Sequence, residues 1–94
     1  MNYRVVWRAR SFHLLSQLHF TLLEMDGDVA GFERAWDEIE LRLTGNPAEE
    51  GESRDGDERV FIVNPLTVVF EVFPDHGTVL IYRLVHHGYR AGNG

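Results

Sequence analysis

The largest change in hydrophobic periodicity along the sequence falls at Gly45-Asn46-Pro47, and this switch constrains the fold more than any other feature. Before it, apolar residues recur every three or four positions; after it, they form short runs rich in β-branched and aromatic residues. Glycine suits the position after a helix, and proline cannot continue one, so a helix is predicted to end here. The chain is therefore predicted to be α+β, with helices before the switch and most strands after it.

Two amphipathic helices and one strand are predicted before the switch. Tyr3 to Arg8 alternates polar and apolar residues and is predicted as a first strand. Ser11 could cap a first helix that runs to about Glu24. Asp26-Gly27-Asp28 then breaks the pattern and offers an N-cap for the second helix. The apolar face of that helix comprises Val29, Phe32, Trp36, Ile39 and Leu43. Two such helices joined by a short turn indicate an antiparallel hairpin lying on a sheet.

Three antiparallel strands are predicted after the switch, separated by turns at Asn64-Pro65 and Pro74–Gly77. The strands are Arg59–Val63, Leu66–Phe73 and Thr78–Val85. Between the last helix and these strands, Ala48–Glu58 carries six acids in eleven residues, so this loop is expected to be exposed and mobile.

A four-residue loop between the last two strands would pair Phe73 with Thr78, and residues whose numbers sum to 151 would then face each other. One sheet face would be almost entirely aliphatic and should receive the helices. Its residues would be Leu66, Val68, Phe70, Val72, Val79, Ile81, Arg83, Val85 and His87. Leu84 and His86 would then lie on the opposite face.

Bulk composition bounds the possible functions. Ninety-four residues make one domain, predicted to span 1–90 with a frayed tail at 91–94. The chain has no cysteine, no secretion signal and no apolar run of bilayer length, so a cytoplasmic protein without membrane association is expected. Its net charge of −6 argues against nucleic-acid binding, because phosphate neutralisation by basic residues supplies most of that affinity.

The C-terminal sequence Arg83-Leu84-Val85-His86-His87-Gly88-Tyr89 holds the best candidate site. Adjacent histidines on a strand point to opposite faces, so His86 and His87 are not expected to share a metal. A histidine here could act as a general acid or base, with arginine holding a phosphate. The alternative is that a polar strand end simply leaves the core. No metal and no cofactor are expected.

Three further charged residues are candidates for a functional role, and each also has an ordinary structural explanation. Arg54 and Arg59 could bind a phosphate or an acidic peptide, or could pair with the carboxylates around them. Glu71, within an apolar strand, could be a general base, a partner for a neighbouring arginine, or an ordinary outward-facing residue.

The element order and several short motifs resemble the RelE/ParE superfamily of toxin–antitoxin toxins. Asn46 to Arg54 is similar to that family's Asn/Asp-Pro segment after the second helix. Leu66 to Val72 resembles its "R-V-x-Y-x-V" strand, and Val79 to Val85 its final strand. His86-His87-Gly88-Tyr89 resembles the His/Tyr ending of the ribosome-dependent RNase branch. The resemblance covers nearly the whole chain.

The resemblance implies a RelE-like fold and a toxin that cleaves mRNA on the ribosome, silenced by an antitoxin with an extended or helical segment. The implied working set is His87, Tyr89 and Arg83 for catalysis, with Arg54 and Arg59 on the RNA. Thr67 stands where active members offer a strand arginine, and losing such a donor can cost about 100-fold in rate. Two alternatives are a catalytically inactive version that binds or dimerises, and a structural domain related to toxins only by architecture.

Overall fold

A computed structural model describes residues 2–53 and 56–87. Two helices lie on one side of a five-stranded sheet, in two layers. The elements are β1 (Arg4–Trp7), α1 (Ala9–Glu24), α2 (Val29–Gly45), β2 (Glu52–Ser53), β3 (Glu58–Val63), β4 (Leu66–Phe73) and β5 (Thr78–His86). Single 3₁₀ turns span Pro47–Glu49 and Pro74–His76.

The strand order is β1-β5-β4-β3-β2. The predicted α+β class and the antiparallel pairing of the three C-terminal strands are confirmed. β1 joins the sheet beside β5 and parallel to it, so the complete sheet is mixed. The first and last strands of the chain are therefore neighbours, which closes the fold around the helical hairpin.

The core forms between the apolar faces of the helices and one face of the sheet. α2 buries Phe32, Ile39 and Leu43 as predicted, and also Ala35. The predicted Val29 and Trp36 are only partly buried and pack against the core. α1 contributes Leu15 and Leu22, and the sheet contributes Phe61, Leu66, Val68, Phe70, Val79, Ile81 and Leu84. Each large aliphatic or aromatic side chain removed from water in this way stabilises the fold by about 1.5–3 kcal/mol.

The two helices differ in how their N-termini are capped. α2 begins as predicted: Asp28 accepts a hydrogen bond of 2.9 Å from the backbone N–H of Gly31. α1 begins earlier than predicted, at Ala9, and its N-cap Arg8 makes no side-chain cap. Ser11 is not a cap but a buried residue of the first turn, and its hydroxyl donates to the Tyr82 carbonyl at 2.6 Å. Ser11 thus fastens α1 to β5.

The acidic segment after α2 is more ordered than the sequence predicts. Glu52 and Ser53 form β2 and pair with β3. The preceding Gly51 has φ of 69°, and a Cβ there would lie 2.2 Å from the Val60 carbonyl oxygen. Only glycine fits this approach. Arg54 and Asp55, in the same segment, lie outside the described residues.

A β-bulge in β5 overturns half of the predicted register. Phe73–Thr78 to Phe70–Ile81 pair as predicted, but Val69 then pairs with Arg83 and leaves Tyr82 as the extra residue. Beyond Tyr82 the faces exchange. Leu84 and His86 turn towards the helices, whereas Arg83, Val85 and His87 turn away from them, contrary to the prediction.

Candidate functional site on the open sheet face

The face of the sheet opposite the helices, called the open face below, carries the exposed candidate residues. Its members are Arg4, Val6, Arg8, Glu52, Glu58, Val60, Ile62, Thr67, Val69, Glu71, Leu80, Tyr82, Arg83, Val85 and His87. Ile62 and Val85 are 65% and 51% exposed. The open face therefore combines charged side chains with aliphatic residues that no described element covers.

The bulge gathers three candidates at the C-terminal end of the open face. The hydroxyl of Thr67 shares a hydrogen bond with Nε2 of His87, which fixes the orientation of the imidazole. The His87 backbone N–H donates to the Pro65 carbonyl at 2.7 Å and anchors the chain beside it. Arg83 lies on the same face four residues earlier, about 13 Å along the strand at the usual rise. Within residues 2–53 and 56–87, Arg83 has no ion pair.

Glu71 and Tyr82 form a hydrogen-bonded pair near the middle of the open face. The Tyr82 hydroxyl donates to the Glu71 carboxylate at 2.7 Å. This bond, burial and the negative charges of Glu71 and Glu58 raise the pKa of Tyr82 to about 12, while the charge of Arg8 acts in the opposite direction. Tyr82 is therefore protonated at neutral pH and serves as a donor.

Glu71 cannot assist His87 as the second group of an acid–base pair. Four residues of β4 separate Glu71 from Thr67, the hydrogen-bond partner of His87, which corresponds to about 13 Å. Acid and base groups must each reach the reacting atoms through hydrogen bonds of about 3 Å. Any chemistry at the C-terminal end must therefore use His87 without Glu71.

Arg59 lies on the other face of the sheet, where its side chain is hydrogen-bonded to the segment that precedes β3. Its guanidinium donates to the carbonyls of Glu50 and Gly51 at 2.9 and 3.1 Å, and to the Ser53 hydroxyl at 3.2 Å. These partners are not the carboxylates that the alternative interpretation expected. The structure therefore brings Arg83 and His87 to one face and separates them from Arg59. Arg54 and Tyr89 lie outside the described residues.

His86 faces the opposite way from His87 and lines a cleft that the sequence did not reveal. Its ring packs 6.0 Å from the Phe32 ring, and burial, together with the neighbouring His87, lowers the pKa of His86. The cleft has a volume of about 480 Å³ and lies between the tip of the helical hairpin and the β3–β4 turn, where Asp28, Arg34 and Pro65 also line it. Only the bulge places His86 here, and sequence alternation does not show the bulge.

The described part of the chain has neither a metal-binding cluster nor a membrane-spanning helix. Within residues 2–53 and 56–87, no group of three or more histidine, aspartate or glutamate side chains is arranged to hold a metal ion. Neither of the two described helices is long and apolar enough to span a bilayer.

The architecture is that of the RelE/ParE toxins, and comparison with solved structures confirms the predicted resemblance at the level of the fold. A chain of the RelBE2 toxin–antitoxin complex from Mycobacterium tuberculosis superposes with a TM-score of 0.69 and 14% identity, with 95% of each chain covered. A chain of the archaeal RelE–RelB complex from Pyrococcus horikoshii OT3 gives 0.62 and 19%, covering 96% of this chain and all of the other.

A chain of the chromosomal ParDE system from P. aeruginosa gives a TM-score of 0.63 and 14% identity, covering 90% of this chain and 96% of the other. The RelE and ParE structures thus fit almost equally well, so the fold alone does not separate them. No protein-family model matches the sequence, and no curated protein is significantly similar to it.

Proposed function

We propose that this chain is the toxin of a toxin–antitoxin pair, and that it cleaves RNA at the Thr67–His87 end of the open face. The observation that carries the proposal is the placement of Arg83, Thr67 and His87 on one solvent-facing surface by the bulge in β5. The toxin–antitoxin complexes among the similar structures support the general class and an antitoxin as partner. The ribosome-bound mRNA is the substrate that the resemblance implies.

The proposed chemistry needs few groups. His87 is exposed and oriented by Thr67, so its imidazole can take a proton from a ribose hydroxyl or deliver one to the leaving oxygen. Arg83 would hold a flanking phosphate, because about 13 Å separates it from His87 along the strand. Thr67 replaces a cationic donor, so the transition-state charge would be less well stabilised and cleavage slow.

The test is inducible expression in a bacterial host, with growth and mRNA integrity followed over time. We expect growth arrest and ribosome-dependent cleavage by the wild type, and their loss in His87→Ala and in a His87→Ala, Tyr89→Phe double variant. His76→Ala is the matched control, because His76 is an exposed histidine in the turn at the opposite end of β5. Intact mRNA and normal growth with folded wild-type protein would refute the nuclease proposal.

A second candidate function is toxicity, or simple partner binding, through a protein target without RNA cleavage. The net charge of −6 and the exposed aliphatic residues Ile62 and Val85 favour it, because RNA-binding faces are usually basic and polar. The same experiment separates the two. Arrest with intact mRNA that persists in His87→Ala would support the protein target and refute cleavage.

A further inference from the structure

The arginines and glutamates of the open face lie on different strands, so the face is complementary in charge to a second copy of itself. On β1 and β5, and at the residue that follows β1, the charged residues are the arginines Arg4, Arg8 and Arg83. On β2, β3 and β4 they are the glutamates Glu52, Glu58 and Glu71. Aliphatic side chains lie among them: Leu80, Val85 and Val69 on the central strands β5 and β4, and Val6, Val60 and Ile62 within the two halves. The arginines thus lie on one half of the face and the glutamates on the other, with aliphatic side chains in both.

We propose that the open face is the interface of a symmetric homodimer, in which two sheets pack face to face about a two-fold axis parallel to their strands. Rotation about such an axis places the β1–β5 half of one copy over the β3–β4 half of its partner. Each basic half then meets an acidic half, and this happens twice because the interface is isologous. An axis across the strands would instead place basic on basic, so the charge pattern selects one arrangement.

The geometry of sheet packing is compatible with this arrangement. Sheets that pack face to face keep their strands within about 30° of each other, which a two-fold axis parallel to the strands satisfies. With the axis between β4 and β5, residues at the same level of the ladder lie over each other, so Arg83 lies over Val69 and Arg8 over the region of Val60. The nearest glutamates, Glu71 and Glu58, are each two residues further along their strands, about 7 Å at the usual rise, which a flexible arginine side chain can span. Val85 meets the partner near Thr67, so the aliphatic side chains of the central strands lose their contact with water.

The size of the surface sets the expected affinity. The strands β1 to β5 hold 4, 2, 6, 8 and 9 residues, and at about 3.3 Å per residue and about 4.8 Å between strands they give a flat area on the order of 500 Å² per copy. Specific complexes bury roughly 800 Å² on each partner, and weak ones less. The dimer is therefore expected to dissociate in the micromolar range, and to cover the Thr67–His87 end when it forms.

The first test measures oligomeric state by sedimentation velocity from about 1 to about 300 µM, a range that brackets micromolar dissociation constants. We expect the wild type to pass from monomer to dimer within this range. Val85→Lys should raise the dissociation constant at least about tenfold, because it places a charge among the aliphatic side chains of the central strands. Leu41→Lys is the matched control, since Leu41 is 74% exposed on α2, far from the open face, and should change the constant less than about twofold.

The second test uses a charge exchange between two exposed residues. Arg8→Glu and Glu58→Arg should each weaken the dimer about tenfold, and the double variant should restore it, because each pair is attractive again. A wild type that stays monomeric throughout overturns the proposal and leaves the face to a different partner. A dimer that Val85→Lys and the charge exchange leave unchanged overturns it too, since the contact would lie elsewhere. Neither measurement depends on RNA cleavage, so it stands apart from the proposed function.

Discussion

At the scale of single residues, one carboxylate fixes two tryptophans at the junction of β1 and α2. The indole N–H groups of Trp7 and Trp36 donate to the same oxygen of Glu40, at 2.8 and 3.0 Å. The two rings also meet edge to face, with centroids 6.5 Å apart. The apolar face predicted for the second helix includes Trp36, but the sequence gives no sign that the two indoles share an acceptor. Glu40 on α2 therefore ties the N-terminal strand to the helix layer.

Replacing Glu40 with alanine should destabilise the fold by about 2–4 kcal/mol, because two partly buried donors lose their acceptor. Glu40→Gln keeps a side-chain carbonyl oxygen and should cost only about 1 kcal/mol. Urea unfolding followed by tryptophan fluorescence measures both. Asp37→Ala, at an exposed position on the same helix, should stay within about 0.5 kcal/mol. Equal losses for the alanine and glutamine variants would show that charge, not hydrogen bonding, matters.

The half-buried His86 should make the stability of the fold depend on pH. Burial lowers the pKa of His86 below the usual 6.5, so the unfolded chain binds a proton under conditions in which the folded chain does not. Its contribution to stability is complete above about pH 6.5 and declines as the pH falls below that value.

We therefore expect the fall in unfolding free energy between about pH 7.5 and about pH 5.5 to be smaller in His86→Phe than in the wild type. Urea titrations at the two pH values measure the difference. His76→Asn, at an exposed turn, should keep the wild-type slope. An unchanged slope in His86→Phe would show that His86 is not held neutral by its surroundings.

At the scale of elements, the bulge at Tyr82 decides which side chains of β5 meet the helices. Ile81 and Leu84 are both buried although they are three residues apart, a spacing that a regular strand cannot place on one face. The extra residue resolves the conflict. It places Arg83 and His87 on the open face and His86 beside Phe32.

Deleting Tyr82 should leave the fold intact. Arg83 already pairs with Val69 and Leu84 with Val68, so the shortened strand continues in regular register with the same faces. The expected cost is about 2–5 kcal/mol, because the Tyr82 hydroxyl no longer donates to Glu71 and the buried Ser11 hydroxyl loses the Tyr82 carbonyl as its acceptor. Deleting Val69 from β4 is the control and should prevent folding, because Leu66 and Val68 then lose their place in the core. Circular dichroism and urea unfolding distinguish the cases.

Arg59 is expected to stabilise the backbone of residues 50–53 and not to contribute to RNA cleavage. Arg59→Met removes three hydrogen bonds to residues 50–53, so the amides of this segment should exchange faster and stability should fall by about 1–3 kcal/mol. Hydrogen exchange by NMR measures this, with Arg10→Met on the exposed side of α1 as control. A variant with normal exchange but reduced RNA cleavage would instead support the phosphate-binding role predicted from the sequence.

The helices and the C-terminal strands could be predicted from the sequence because each has its own period and its own turn residues. The register could be predicted only as far as Ile81, since the bulge is a backbone irregularity without a hydrophobic signature of its own. β2 was missed because two paired residues, Glu52 and Ser53, carry no periodicity. His87 and Arg83 could be chosen by residue type, but their shared face depends on the bulge.

At the scale of the whole molecule, the sheet is completed by β5, the last of the described strands along the chain. β5 lies between β1 and β4 and is the only partner of β1 within residues 2–53 and 56–87. Every hydrogen bond between β1 and the rest of the sheet therefore joins residues more than 70 positions apart in the chain. The fold cannot be assembled from its N-terminal half alone.

A chain truncated after Phe73 should not fold, because β1 and β4 lose the strand that joins them. A chain truncated after His87 keeps all five strands and should unfold cooperatively, as the full-length protein does. Circular dichroism and amide dispersion in NMR spectra measure the difference. A folded product from the shorter chain would show that α1, α2 and β3–β4 form a stable unit without β5.

The position of β5 also determines when the open face can form as the chain is synthesised. The open face is created only when Thr78–His86 has left the ribosome and inserted between β1 and β4. Until then, Arg4 and Arg8 have no neighbouring strand, and the Thr67–His87 bond cannot form. A chain without Thr78–His86 therefore lacks the surface on which Arg83, Thr67 and His87 lie together.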